Sequence, residues 1–214
     1  MIHEKATVYK VQLTVDNKIS KWSVGGGPRG LSINTACNLL VACYNDKKIQ
    51  EYTTSGSLVR EICPKSNDGK SLNPWHVIQL TSGQFVVCCR RDVNSRASDV
   101  VELDANGQVL VGYTNQLQST TKQNFSWPRH LAVDKNNEFI LVADNMNDRI
   151  VILSRSLNCR AREFKALSII DGGLRYPRCL HFNESQGRLF VGEGGGQRRV
   201  LVFDNVINIA NSFE

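Results

Sequence analysis

The stretch WPRHLAVDKNNEFILVADNMNDRIVIL, from Trp127 to Leu153, decides the fold. It opens on a proline and a short run, Leu131-Ala132-Val133. A polar turn over 134–138 leads into the apolar run Phe139-Ile140-Leu141-Val142-Ala143, then a polar loop, then Ile150-Val151-Ile152-Leu153. Short runs rich in Val, Ile and Phe, bounded by Asn and Asp, read as β-strands. No segment of the chain carries a sustained helical period. Only 206–210 has the makings of a single turn.

The same plan repeats on both sides of this stretch. Three further segments start on a proline: Pro28-Arg29-Gly30-Leu31, Pro74-Trp75-His76-Val77 and Pro177-Arg178-Cys179-Leu180. The four prolines are spaced by about 50 residues, a period that marks a repeat architecture. Each start precedes an apolar run (Leu39 to Cys43, Phe85 to Cys89, Leu189 to Gly192), a loop, and a third run (Ile49 to Tyr52, Val100 to Leu103, Val200 to Phe203). A fourth strand follows in three units, at Leu58 to Ile62, Val109 to Tyr113 and Ala161 to Phe164. Four short strands per unit, repeated, predict an all-β propeller of four-stranded antiparallel blades, because one such sheet cannot bury both of its faces alone. Thr7 to Leu13 and Ile19 to Val24, joined at Asp16-Asn17, read as the outer strands of a preceding blade. The expected division is 1–27 for that half blade, repeat units at 28–73, 74–127 and 128–176, and an incomplete unit at 177–214.

The stretch at Trp127 resembles the NHL repeat, whose pattern runs P-x-x-L/V-A-V-D, then V-A-D, then N-x-R-I. The match is close at Pro128 to Asp134, Val142-Ala143-Asp144 and Asn147-Asp148-Arg149-Ile150. The other units depart from it: Glu193 replaces the Asp in the last, and Cys89-Arg90-Arg91 breaks it in the second. The resemblance implies a six-bladed ring, of which four to five blades are represented here. It is similar to the C-terminal propeller of tripartite-motif proteins, which implies binding of protein or of single-stranded or stem-loop RNA. Ubiquitin-ligase activity in that group would lie in a RING segment for which this sequence has no zinc-ligand spacing.

Charge and cysteine usage narrow the function classes. The 214 residues carry a formal net charge of +6. Seven cysteines (Cys37, Cys43, Cys63, Cys88, Cys89, Cys159 and Cys179) show no metal-ligand or disulfide spacing, and most lie in apolar runs, where a thiol acts as a small hydrophobe. Met1 to Lys10 lacks the apolar core of a secretory signal, so a cytoplasmic protein is expected. In an up-and-down blade, the connections into the first strand and between the second and third share one face. Sorted this way, that face sums to about +7 and the opposite face to about −1. The candidate partner-binding residues are Arg29, Lys47, Lys48, Trp75, Arg90, Arg91, Arg96, Arg129, Arg149, Arg178, Arg198 and Arg199. Trp127, Tyr176 and His76 add planar groups, the combination that holds single-stranded nucleic acid. Arg149 has a second reading, as a brace paired with Asp144 or Asp148.

The expectation is therefore a non-catalytic platform for a protein partner, with RNA as the alternative and a metal-dependent propeller lyase or hydrolase as the remote one. No cofactor, membrane or small-molecule substrate is indicated. His76, His130 and Cys179 share one repeat position, which suits a metal, but Gly30 interrupts the series and a structural role is expected. Gly25 to Gly27 and Gly194 to Gly196 have the composition of phosphate loops without a helix behind them, and read as tight connections.

Overall fold

The computed structural model describes residues 6–12, 18–90, 98–113, 124–135, 139–154, 161–164, 173–195 and 198–206. They form seventeen strands in sequential, antiparallel order. A hairpin pairs β1 (Thr7–Gln12) with β2 (Lys18–Ser23). The first full sheet is β3 (Pro28–Ile33), β4 (Leu39–Cys43), β5 (Lys48–Tyr52) and β6 (Leu58–Ile62). The second is β7 (Asn73–Gln79), β8 (Phe85–Arg90), β9 (Ser98–Leu103) and β10 (Val109–Gly112). The third is β11 (Pro128–Asp134), β12 (Phe139–Asp144), β13 (Arg149–Ser154) and β14 (Ala161–Phe164). The last has three strands: β15 (Pro177–Asn183), β16 (Arg188–Glu193) and β17 (Val200–Phe203). The expected Asp16-Asn17 turn and the turn after Val206 lie outside the described residues, as does Cys159.

Sheets stack face to face, which explains the unbroken apolar runs. Side chains alternate across a strand, so a sheet buried on both faces needs an apolar residue at every position. In β8, Phe85, Val87 and Cys89 pack on the first sheet with Leu40, Ala42 and Ile49. Val86 and Cys88 turn the other way, into a core with Leu131, Ile140 and Val142 of the third sheet. Leu141, Ile150 and Ile152 repeat the arrangement against Leu180, Leu189 and Val191 of the last. Trp22 and Val8 close the hairpin onto Val41 and Tyr52. The first strands β3, β7, β11 and β15 pack successively on one another along the inside of the arc.

Each inner strand starts the same way. The register with its neighbour shifts between Pro28 and Gly30, Pro74 and His76, Pro128 and His130, and Pro177 and Cys179. One extra residue, Arg29, Trp75, Arg129 or Arg178, is therefore bulged out just after the proline. Proline lacks a donor and suits the first position of a strand, and a bulge re-aims the side chain it carries.

The loop ahead of the bulge is pinned by an acid. The backbone N–H two residues before the proline donates to a carboxylate in three units: Gly26 to Asp46 at 2.7 Å, Ser126 to Asp144 at 2.7 Å and Arg175 to Glu193 at 2.8 Å. Asp144 also accepts from Arg149 Nε at 2.6 Å, with both side chains fully buried. Burial pushes the Asp144 carboxyl above its ordinary value, and Arg149, Asn147 and Ser126 pull it back down. Glu193 and Arg199 repeat the pair at 3.0 Å.

Inner strands are also tied by imidazoles. His76 Nδ1 accepts the Leu131 N–H at 3.3 Å, and His130 Nδ1 accepts the Leu180 N–H at 3.4 Å. The two rings stack at 3.8 Å. Gly30, the third member of that row, sits where a Cβ would come within 2.6 Å of the Trp75 carbonyl oxygen, so β3 and β7 approach too closely for a side chain. An accepting Nδ1 must be unprotonated. Burial pushes His130 down to about 4, and burial with His130 nearby pushes His76 well below its ordinary value.

Two outcomes are expected. Asp144→Ala leaves a buried guanidinium uncompensated and should cost about 3–5 kcal/mol in denaturant unfolding, against less than about 1 kcal/mol for Asp204→Ala at the exposed Arg188 pair. Second, the folded His130 pKa lies below its unfolded value, so the unfolded chain takes up the proton first as pH falls. Stability should be full above pH about 6.5 and decline toward pH 4, by up to about 3 kcal/mol from His130. His130→Gln, which keeps an acceptor but does not titrate, should flatten that part of the profile.

Candidate anion-binding site

The bulged residues meet on the face where the inner strands begin, here the front face. They build a column in which cations and rings alternate. Arg29 lies over Tyr44 at 5.8 Å and over Trp75 at 5.0 Å from the ring centroids. Arg129 lies over Trp75 at 4.3 Å and over Trp127 at 4.8 Å. Arg90, at the end of β8, lies over Trp127 at 5.1 Å and reaches the Tyr44 hydroxyl at 3.4 Å. Trp127 immediately precedes its proline and holds a left-handed backbone, φ 55°. Non-glycine residues in that region are costly, and the third sheet holds this one in place.

Between the second and third sheets the column borders a narrow cleft lined by Trp75, Cys89, Arg90, Ser98, Trp127, Pro128 and Arg129. The buried Nε of Arg129 has no hydrogen-bond partner among the described residues. Burial lowers the Arg129 pKa, and Arg178, Arg29 and Arg90 lower it further, which shows the four cations converging. Among the described residues, none of Arg29, Arg129 and Arg178 pairs with a carboxylate. Such an arrangement offers guanidinium N–H groups, edge-on, to an anion.

The remaining basic residues of the sequence reading are placed elsewhere. Arg149 is fully buried and braces the loop through Asp144, so it is withdrawn from the partner-binding surface. Arg199 is held by Glu193 and by the Gly173 carbonyl, and Lys48 is paired with Glu61 at 2.8 Å. Lys47 and Arg198 are exposed at positions of left-handed backbone. Arg91 and Arg96 lie outside the described residues. His76 is buried in the inner wall and offers no plane to a ligand. Tyr44 was missed; it follows β4 as a buried ring with no motif to flag it.

Gly194 and Gly195 lie in the connection between β16 and β17, where the Arg198 N–H donates to the Gly195 carbonyl at 3.1 Å, and they also make room for neighbouring side chains. A Cβ at Gly194 would collide with the Arg178 side chain, and one at Gly195 with the Tyr176 ring. They are spacers that let Arg178 reach the front face.

The described thiols and imidazoles do not form a metal or nucleophile centre. No group of three or more His, Cys, Asp or Glu that could hold a metal ion occurs among the described residues. His76 and His130 commit Nδ1 to backbone N–H groups. Burial pushes the Cys43 thiol up to about 11 and raises Cys88 well above its ordinary value, so neither is a thiolate at neutral pH.

Comparison with solved structures establishes the class: the chain is a β-propeller. It is similar to virginiamycin B lyase from Staphylococcus aureus (TM-score 0.56, 13% identity, 92% of this chain and 62% of that one). It is similar to a gluconolactonase from Xanthomonas campestris (TM-score 0.63, 15% identity, 87% and 62%). It is also similar to hydrazine synthase from Kuenenia stuttgartiensis (TM-score 0.54, 15% identity, 93% and 71%). The chain thus spans less than two thirds of the lyase and of the gluconolactonase. No family model matches the sequence, and no curated protein matches it. These findings correct the expectation of a non-catalytic platform that is not an enzyme: the propellers it is similar to are catalysts. No helix among the described residues is long and apolar enough to cross a membrane.

Gly194→Ala should displace Arg178 and weaken inorganic phosphate binding by about 10-fold or more, the worth of one charge-assisted hydrogen bond. The thermal unfolding midpoint, measured alongside, should stay within a few degrees.

Proposed function

We propose that the chain is the substrate-holding part of a propeller enzyme and that its front-face cleft binds an anionic group. The observation that carries this is the convergence of Arg29, Arg90, Arg129 and Arg178, with no carboxylate partner for Arg29, Arg129 or Arg178 among the described residues. Converging cations repel one another and raise the free energy of the empty site. A ligand that neutralises them is favoured for the same reason.

Opening of a cyclic ester is the reaction class that suits the site. Attack of water on the carbonyl carbon places negative charge on the carbonyl oxygen, breaking of the ring C–O bond then leaves a carboxylate, an alcohol and a proton, and preorganised donors in a cleft stabilise charge as it develops. Similarity to a gluconolactonase, whose name denotes action on a lactone, supports the same class. In this reading Arg129, partly desolvated between two indoles, is the main charge-stabilising residue, and Arg29, Arg90 and Arg178 hold the anionic group.

We also read the repeat as NHL-type, supported by the Asp144–Arg149 pair at its Asp and Arg positions. A cytoplasmic setting is supported by the thiols that are free among the described residues, at Cys37, Cys43, Cys63, Cys88 and Cys179.

The test follows proton release from gluconolactone and a panel of other cyclic esters, with gluconate titration as the binding measurement. Arg129→Gln is expected to lower the turnover rate about 100-fold while the circular dichroism spectrum is unchanged. Wild-type rates equal to the uncatalysed background for every ester would remove the reaction class. Absence of gluconate and phosphate binding by the folded protein would remove the anion site.

A further inference from the structure

The front-face column carries more positive charge than one anionic group can neutralise, and its geometry restricts how a ligand approaches. Each of four successive sheets contributes one cation: Arg29 from β3, Arg90 from β8, Arg129 from β11 and Arg178 from β15. Arg129 feels the other three, so the groups act on one region rather than as scattered surface charges. Arg129 takes a face of each indole, and Arg29 and Arg90 lie over Trp75 and Trp127 as well. A flat aromatic ligand stacking on either indole would compete with guanidinium groups already there. What the site offers freely is the N–H edges of several guanidinium groups side by side. The Nε of Arg129 lies behind that edge, buried and without a hydrogen-bond partner among the described residues.

A single carboxylate can engage one guanidinium fork, or bridge two. It leaves the rest of the cluster unneutralised and the mutual repulsion in place. We propose that the site takes a small ligand with two or more adjacent anionic groups, an oligophosphate or a polycarboxylate, lying across Arg29, Arg129 and Arg178. This rests on the reading of the cleft as an anion site and adds the class of anionic ligand to it.

The experiment titrates the protein with inorganic tripolyphosphate, citrate, orthophosphate and acetate at matched ionic strength, read by calorimetry and by tryptophan fluorescence. Trp75 and Trp127 are built-in reporters. Tripolyphosphate or citrate is expected to bind at least about 10-fold tighter than orthophosphate or acetate, and the stronger of the two identifies the source. Arg29→Gln and Arg178→Gln should each bring that ratio towards one. A Lys18→Gln, Lys21→Gln double variant on the exposed β1–β2 hairpin should leave it unchanged. Equal affinity for single and multiple anionic groups would overturn the preference for polyanions while leaving the anion site standing. No binding of any of the four by a folded protein would overturn both. An equal loss of affinity in the Lys18/Lys21 variant would show diffuse attraction to net charge and overturn the proposal.

Discussion

The structure depends on one recurring hydrogen bond, made in three of the four sheets that begin on a proline, from the backbone N–H two residues before the proline to an acid at the far end of the next strand or the turn after it. In the third sheet that acid is Asp144, itself fixed by a buried arginine. The bond sets where the chain enters the inner strand. The proline fixes φ there and withholds a donor, so pairing with the neighbouring strand resumes one residue out of step. The displaced residue is an arginine in three sheets and a tryptophan in the fourth. Loop anchoring and site building are thus the same event. A change at Asp144 or Glu193 acts on the front face although neither residue belongs to the column of cations and rings.

That link explains what was legible in the sequence. Period and apolar runs reveal strands that are buried on both faces, so Phe85 to Cys89 and Phe139 to Ala143 announced stacked sheets. The prolines announced the inner strands. Arg29, Arg129, Arg178 and Trp75 could be assigned to one face because that assignment needs only strand order. Arg149 could not be placed so simply: a basic residue at a loop end is exposed in most settings, and only the buried Asp144 opposite it makes the inward direction favourable. The pairing of cations with rings was also hidden, since Tyr44, Trp75 and Trp127 are remote in sequence and meet only when three inner strands align. Gly194 was legible as a glycine but not as a spacer, because the atom it makes room for belongs to Arg178 on another strand.

The identity of the reaction lies beyond the fold. A propeller positions loops at the mouth of an arc whatever chemistry they carry, and low-identity neighbours establish only that architecture. What distinguishes this chain is the energetics of its front face. Surface arginines usually find carboxylates or remain well separated in solvent, where each costs nothing. Here four are drawn together. The partial offset comes from the rings: each cation–ring contact contributes about 0.5–2 kcal/mol depending on desolvation. These contacts hold the guanidinium planes in place while leaving their N–H edges open.

Such a site costs stability and is tolerated because the rest of the molecule supplies rigidity. The imidazole bonds between inner strands, the dry sheet-to-sheet cores and the Asp144–Arg149 pair all lie immediately behind the front face. They keep the cations from relaxing apart, so the repulsion is not dissipated by movement of the strands that carry them. A ligand with matching negative charge would then gain twice, from new charge-assisted hydrogen bonds and from relief of the repulsion. The same rigidity would spare it the ordering cost that flexible loops impose. The mouth of this arc is best understood as a preorganised, electrostatically unfinished surface, completed by the anion it binds.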